Sequence, residues 1–186
     1  MEPIEINAGA WYLRALRADK RVDDRPVLLT AATDPATVRY APLMVSEGLA
    51  AATDYVRRRT LQWSNDSWYS WAVCEPSTGE MLAEVGLRNI EPTQRSAELA
   101  CWTAPAQRGR GIMAAAAGAV VRLAFSSAAL GGLGLHRVGY LHVDGNTASA
   151  ILARRCGMVP EGRMRQAVLI DGVRRDMMLL ARLATD

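Results

Sequence analysis

Hydrophobic and polar positions along this chain follow two different periods, which predicts strands and helices in a mixed order. Alternation with period two predicts half-buried strands, whereas apolar residues that recur about every 3.6 positions predict amphipathic helices. The segments with strand-like alternation are 10–16, 68–75, 80–90, 96–103, 137–143, 163–170 and 174–183. The segments with helix-like spacing are 23–35, 47–63, 111–129 and 146–157.

Cap and turn residues indicate where these segments begin and end. A helix start is marked by a side chain that can accept from the first-turn N–H groups, or by a proline in that turn. The residues of this kind are Asp23 or Asp24 with Pro26, then Ser46 with Glu47 beside it, and finally Asn146 or Thr147. Gly157 is expected to end the last helix. The turn signals Pro-Ser-Thr-Gly at 76–79 and Asp-Gly at 171–172 each predict a hairpin.

The order of these elements predicts an α/β, or α+β, domain that spans residues 1–186. A meander of strands comes first, and a strand–helix–strand–helix order with a closing hairpin follows. This order is typical of one sheet with helices packed against it. The chain is long enough to bury a sizeable core, and no internal repeat or low-complexity linker divides it.

Composition narrows the classes of function. The net charge is +3 with Lys20 as the only lysine, which suits a small anionic ligand. No Lys/Arg block is interleaved with aromatics, so nucleic acid is not expected as a partner. The arginines at 57–59 predict a solvated helix face, with RNA or ribosome contact as the alternative.

Cysteine usage and hydropathy favour a cytoplasmic protein. The three cysteines form no CxxC pair, so neither a disulfide framework nor a metal site is expected. No apolar run approaches the roughly 20 residues that span a bilayer, so no membrane partner is expected. The N-terminal segment also lacks the basic-then-apolar pattern of a signal peptide.

The stretch 106–120, AQRGRGIMAAAAGAV, predicts an anion-binding turn. Glycines at 109 and 111 let the backbone approach a ligand, and the arginines at 108 and 110 offer forked donors to phosphate. The helix that follows presents free N–H groups at its start. A Walker loop is excluded because no Lys-Ser/Thr pair follows Gly111. The stretch matches the dinucleotide-binding fingerprint GxGxxG only weakly. A ligand pyrophosphate bound outside a dinucleotide-binding fold therefore fits the stretch better.

These residues resemble the GNAT superfamily of N-acetyltransferases. Arg108-x-x-Gly111-x-Met113 is similar to the pyrophosphate loop of that family, Gln/Arg-x-x-Gly-x-Gly/Ala, from which Met113 departs. The segment AELACWT resembles the strand before the loop, and residues 132–162 resemble the family's second half with its Asn-x-x-Ser helix start. Residues 168–183 resemble the closing hairpin of the branch that contains the ribosomal-protein-alanine acetyltransferases. The resemblance covers residues 11–183.

The resemblance implies a GNAT-like fold with acyl-coenzyme A, usually acetyl-CoA, as cosubstrate. The expected sheet is mixed and mostly antiparallel, with about six or seven strands splayed at the acyl-CoA site and about four flanking helices. Free backbone N–H groups from Arg108 to Met113 would bind the pyrophosphate, and those near Cys101–Thr103 would hold the thioester carbonyl. The residues implied in coenzyme binding are Cys101, Trp102, Thr103, Arg108, Gly109, Arg110, Gly111, Ile112, Met113 and Asn146. One of the two arginines is expected to reach the separate ribose phosphate.

Catalysis needs an acid for the leaving thiolate and a base for the amine. In the branch that the chain resembles, the acid is a serine at the start of the Asn-x-x-Ser helix, which is Ser149 here. The base of that branch is a glutamate, but its position holds Val168, which cannot accept a proton. Two replacements remain open, each acting through water: Glu98, on one strand face with Trp102, and His142 at the end of the facing strand.

An alternative is transfer of the acyl group through a covalent intermediate on Cys101, since a thiolate beside a thioester is a nucleophile. The sequence places no His/Asp partner near it, and alternation puts it opposite Glu98 and Trp102. A buried structural thiol is therefore the favoured interpretation, and direct attack by the amine is expected.

The predicted function is transfer of an acetyl or related acyl group to a primary amine. The branch suggests a protein N-terminus as acceptor, and this step rests on fold-level analogy. A small-molecule amine, such as an antibiotic or a metabolite, is the alternative acceptor. Because Val168 cannot act as the base, a non-catalytic acyl-CoA-binding module is a further alternative. The oligomeric state stays open, with a homodimer among the options.

Overall fold

The computed structural model describes residues 1–43, 45 and 48–186, and these form one sheet flanked by helices. The strands are β1 (Ile6–Asn7), β2 (Tyr12–Arg14), β3 (Trp68–Cys74), β4 (Met81–Glu91), β5 (Ser96–Thr103), β6 (Arg137–Val143), β7 (Val159–Ile170) and β8 (Val173–Leu183). The α-helices are α1 (Arg25–Thr33), α2 (Pro35–Tyr40), α3 (Leu49–Ser64), α4 (Ile112–Phe125) and α5 (Thr147–Arg155). Short 3-10 turns lie at Pro105–Gln107 and Ala128–Leu130.

The sheet has eight strands in the order β1-β2-β3-β4-β5-β6-β8-β7. Neighbouring strands run antiparallel except β5 and β6, which pair in parallel. Helix α4 makes the crossover between these two strands, as a parallel pair requires. The α/β class and the mostly antiparallel sheet are therefore confirmed.

Alternation along the central strands divides the core between the two faces of the sheet. One face, with Val85 on β4 and Leu99 on β5, packs against the apolar side of α4. The other face, with Ala72 on β3 and Trp102 on β5, packs against α1 and α3. Because the side-chain period of a strand is two, consecutive residues of β5 belong to different faces. This assignment decides which candidate site residues can meet.

The element counts differ slightly from prediction, for local reasons. Within the described residues, eight strands replace the six or seven expected, because residues near the predicted first strand form two very short ones, β1 and β2. The same part of the chain has five α-helices instead of four, because Asp34 ends α1 and its side chain caps a separate helix, α2. Helix α4 ends at Phe125 rather than at residue 129, and a 3-10 turn follows.

Most predicted boundaries agree with the structure. The predicted segments 96–103 and 137–143 coincide with β5 and β6, and both hairpins form. Asp24 stands at the N-cap of α1, with a proline in the first turn. Helix α3 begins after Gly48, and the predicted cap at Ser46 and Glu47 lies outside the described residues.

Membrane-spanning helices and clusters of metal-ligating side chains are both absent from the described residues. None of their helices combines the length and apolar character needed to cross a membrane. No three His, Cys, Asp or Glu side chains among them are grouped as a metal site would need.

Candidate active site

The parallel strands β5 and β6 separate partway along their length. Their pairing runs from Ser96 opposite Arg137 to Leu99 opposite Tyr140, and no later pair forms. Both strands nevertheless continue, β5 to Thr103 and β6 to Val143. A gap therefore opens in the sheet beyond the Leu99–Tyr140 pair.

Backbone N–H groups of β5 face this gap. The Ala104 N–H donates to Leu82 O on β4 at 3.0 Å. Successive N–H groups of a strand point to opposite sides, so those of Cys101 and Thr103 point away from β4, toward β6. Because β6 no longer pairs there, these two N–H groups are available to a ligand carbonyl.

Trp102 differs from its two neighbours on β5. The same alternation directs its N–H toward β4. Its indole Nε1 donates to Glu84 Oε2 at 2.9 Å, on the face covered by α1 and α3. The structure thus separates Trp102 from the gap, whereas the sequence grouped it with Cys101 and Thr103 as a coenzyme contact.

The loop after β5 leads into the first turn of α4. Gly109 and Gly111 both have φ of 77°, and Gly111 stands at the N-cap of α4. This left-handed conformation favours glycine. The first bond into the helix runs from Ala115 N to Gly111 O, so the N–H groups of Ile112 and Met113 precede the helical ladder. The Ile112 side chain is buried in the core, so only its backbone can serve a ligand.

The two loop arginines contact different parts of the chain. Arg108 donates from both terminal nitrogens to the Asp34 carboxylate, and from NH2 to Thr37 Oγ1 at 3.0 Å. Arg110 lies over the Trp11 ring, 5.4 Å from its centroid, and bonds Gln107. Arg108 is therefore paired with a carboxylate, whereas these contacts of Arg110 are with neutral groups that leave its charge uncancelled.

Three polar groups meet beside the gap on the α4 face. The Cys101 Sγ lies 4.0 Å from the Tyr140 hydroxyl, and Ser149 in the first turn of α5 is close enough to that hydroxyl to act against the rise in its pKa. The Ser149 N–H donates to Asn146 Oδ1 at 3.2 Å, so Asn146 is the cap of α5. The Ser149 hydroxyl is therefore not needed to cap the helix.

Burial keeps two members of this cluster, the Cys101 thiol and the Tyr140 hydroxyl, protonated. It raises the pKa of the Cys101 thiol to about 12, so the thiol is not ionised near neutral pH. Burial also raises the pKa of Tyr140 above its usual range. A protonated thiol is a weak nucleophile, which opposes covalent transfer through Cys101.

The two candidate bases lie on opposite faces of the sheet. Glu98 pairs in register with Gly139, so its side chain shares the face of Trp102. His142 shares the other face with Tyr140, is buried, and approaches Val143 O through Nδ1 at 2.9 Å. An amine that approaches the thioester from one face of the sheet can therefore reach only one of these two bases.

Glu98 is held by two neighbours on β4. Arg88 Nε donates to its Oε1 at 2.9 Å, and Asn89 Nδ2 donates to its Oε2 at 3.0 Å. A carboxylate has about four acceptor positions, so Oε2 retains a lone pair for a water. Glu98 can therefore still accept a proton through such a water.

Sequence reasoning missed a buried charged cluster behind Trp102. Glu84 on β4 is 3% exposed and Arg59 on α3 is 7% exposed. Glu84 accepts from Arg59 Nε at 2.9 Å and from the Tyr55 hydroxyl at 2.8 Å. The available signal was the carboxylate of Glu84 within the otherwise apolar run 81–87, MLAEVGL, since a buried charge requires a partner.

Comparison with known proteins identifies the relatives of this architecture. Residues 12–159 match a family model described as an acetyltransferase (GNAT) domain. YdaF of Bacillus subtilis (strain 168), to which ribosomal N-acetyltransferase activity is ascribed, is 29% identical over 99 residues. That match spans 53% of this chain and 51% of YdaF, about half of each protein.

Solved structures share the fold over nearly the whole chain. The ribosomal-protein-S5-alanine acetyltransferase of Vibrio fischeri has a TM-score of 0.79 at 16% identity, with 98% of each chain covered. The microcin C7 self-immunity acetyltransferase MccE, solved with acetyl-CoA and AMP, has a TM-score of 0.77 at 15% identity. Here 94% of this chain and 92% of MccE are covered. At such identities the likeness shows the fold alone.

Proposed function

Because the chain belongs to the GNAT acetyltransferase family, we propose that it moves an acetyl group from acetyl-CoA to an amine. The observation that carries the proposal is the gap beyond the Leu99–Tyr140 pair, which opens beside the first turn of α4. A gap with free strand N–H groups suits a thioester, and a helix N-terminus suits a pyrophosphate. One ligand that contains both groups fits both features.

The residues of the loop fit the coenzyme. A Cβ added at Gly109 or Gly111 would meet no atom within 4 Å, so the space in front of both glycines is open. The N–H groups from Gly109 to Met113 would hold the pyrophosphate there. Bound acetyl-CoA supplies an acyl group that is already activated as a thioester.

The chain's own groups then divide the chemistry between the two faces of the sheet. The N–H groups of Cys101 and Thr103 stabilise negative charge on the carbonyl oxygen, and the Ser149 hydroxyl gives a proton to the departing sulfur. Glu98, on the other face, takes the amine proton through water. Acid and base on opposite faces let the amine arrive from one side while the thiol leaves toward the other.

Ser149→Ala is expected to lower kcat on the order of 10²-fold while the Kd of coenzyme A stays near its wild-type value. A general acid acts on the reaction step, and its removal has little effect on binding. Asn146 already caps α5, so the helix should survive the change. Steady-state kinetics with thiol detection and calorimetry measure the two quantities. Thr147→Ala, in the same turn, is the matched control, and full turnover of Ser149→Ala would remove the acid role.

Glu98→Gln is expected to lower kcat about 10²-fold, whereas His142→Phe should change it by less than about threefold. Glutamine keeps the shape, and its single amide oxygen can still accept from Arg88, while Asn89 can turn its own amide oxygen toward the new NH2; glutamine accepts no proton. His142 lies on the face of Tyr140, away from the approach assigned to the amine. The reverse ranking of the two variants would transfer the base role to His142. If both variants keep the wild-type kcat, neither residue is the base, and the amine arrives already neutral.

For the acceptor, we infer the α-amino group of a protein. The relative YdaF supports this class of acceptor over about half of the chain. The test is a screen for coenzyme A release with peptides that differ in their first residue, alongside polyamines and amino sugars. Turnover with peptides blocked by N-terminal acetylation would contradict the inference, as would activity confined to the small amines.

Because Val168 cannot accept a proton, a second candidate function is a non-catalytic module that binds acyl-CoA. Val168 lies on β7 opposite Arg175, at the position that holds the glutamate base in the branch that the chain resembles. Coenzyme binding without thiol release across the whole panel of amines would favour that candidate. Release with any unblocked amine would exclude it.

A further inference from the structure

The coenzyme loop contains two residues that favour disorder. Gly109 and Gly111 stand within a stretch of three residues, and glycine loses more backbone freedom than any other residue when it is fixed. Binding of a phosphate by N–H groups requires those groups to converge on one point. Contacts outside the two glycines must therefore hold the loop in one conformation.

Arg108 supplies the strongest of these contacts, at the start of the loop. Its guanidinium spans both oxygens of the Asp34 carboxylate, and NH1 lies 3.3 Å from Oδ1. Asp34 is itself fixed, because it accepts from the Thr37 N–H at 2.8 Å and from the Thr37 hydroxyl at 2.9 Å. Its side chain is 13% exposed. A forked contact to a fixed, largely buried carboxylate is more ordered than a pair between two mobile surface side chains.

The charge on Asp34 persists at any physiological pH. The hydrogen bond from Arg108 is the main cause that lowers the pKa of Asp34 to about 2. The bonds from Thr37 act in the same direction. The carboxylate that Arg108 contacts is thus charged near neutral pH.

We propose that Asp34 is a positioning residue for the coenzyme loop. Through Arg108 it fixes the first residue of the loop, so that the N–H groups from Gly109 onward point at one phosphate. Arg108 acts as an anchor in this arrangement and is not itself a phosphate ligand. The inference rests on the proposed function, since it assumes that this loop binds the coenzyme.

A double-mutant cycle on the Kd of coenzyme A, measured by calorimetry, tests this role. Asp34→Asn removes the charge but keeps a side chain that caps α2 equally well. Arg108→Gln removes the fork. Each variant is expected to raise Kd about tenfold, and the double variant should also raise it about tenfold, because one contact is lost in all three. The KM for acetyl-CoA should rise equally, with kcat near wild type.

The matched control breaks the ion pair at the other end of α2. Arg39 NH2 lies 3.2 Å from Asp171 Oδ2, and Asp171→Asn should leave Kd within about twofold, as expected of an exposed pair. Thermal unfolding of every variant separates loss of fold from loss of binding. Asp34→Asn that destabilises the protein but binds with wild-type Kd would overturn the positioning role.

Other outcomes discriminate further. If Arg108→Gln weakens binding while Asp34→Asn leaves it unchanged or tightens it, Arg108 is a phosphate ligand and the inference is wrong. Losses that multiply to about 10²-fold in the double variant would also overturn it. A wild-type protein that binds no coenzyme A would overturn the proposed function and this inference together.

Discussion

Gly111→Trp is expected to weaken coenzyme A binding at least about 10³-fold. The indole would occupy the open space in front of the first turn of α4, where a Cβ meets no atom within 4 Å. Two charge-assisted hydrogen bonds lost at about 2 kcal/mol each amount to about 4 kcal/mol, or about 10³ in Kd. Calorimetry with coenzyme A measures the loss.

The control for this variant must share its backbone strain. Gly111 has φ of +77°, where a non-glycine residue costs about 1–2 kcal/mol. Gly131, with φ of +76° and an equally open Cβ direction, follows the 3-10 turn Ala128–Leu130. Gly131→Trp should therefore lose similar stability and keep wild-type affinity. Wild-type affinity in Gly111→Trp would contradict the assignment of the loop.

The fold was largely predictable because its signals are local. Period-two alternation fixed β5 and β6, and the two turn signals fixed both hairpins. Helix α2 was missed because it is short and follows α1 directly, so that Asp34 is both the end of one helix and the cap of the next. Strand β1, with two residues, is too short to display a period.

The local geometry of the candidate site was predictable where the backbone conformation favours one residue type, but not where a side chain bonds a residue that is distant in the sequence. Gly111 is readable because its left-handed φ favours glycine. Arg108 was expected to serve phosphate, but it bonds Asp34, 74 residues away along the chain. No local pattern encodes such a contact.

The arginines at 57–59 illustrate the same limit within one helix. The prediction of a solvated face is correct for Arg57, whose side chain is 71% exposed, and wrong for Arg59, which is buried. Helical spacing of four places Arg59 on one face with the buried residues Tyr55 and Trp63. The helical spacing could therefore have identified Arg59 as the buried arginine. It carries no information about the partner Glu84, which lies on a strand.

Arg59→Met is expected to lower the free energy of unfolding by about 3–5 kcal/mol, because it leaves the buried Glu84 carboxylate without its cation. The methionine side chain can keep the apolar contact that the arginine makes with the rings of Tyr55 and Trp68, so the loss is expected to come mainly from the charge. Burial raises the pKa of Tyr55, whose hydroxyl remains a donor to Glu84 but brings no charge. Denaturant unfolding measures the change.

Two comparisons isolate the charge as the cause. Arg57→Met, on the same helix, breaks only the exposed pair with Asp54 and should stay within about 0.5 kcal/mol of wild type. The double variant Arg59→Met/Glu84→Gln removes both charges, and the amide oxygen can still accept from Trp102 and Tyr55. It should recover most of the lost stability, since an uncharged cluster leaves no ion without a partner. If the double variant is as unstable as Arg59→Met, the loss comes from packing around the guanidinium, and Glu84 is not held by charge.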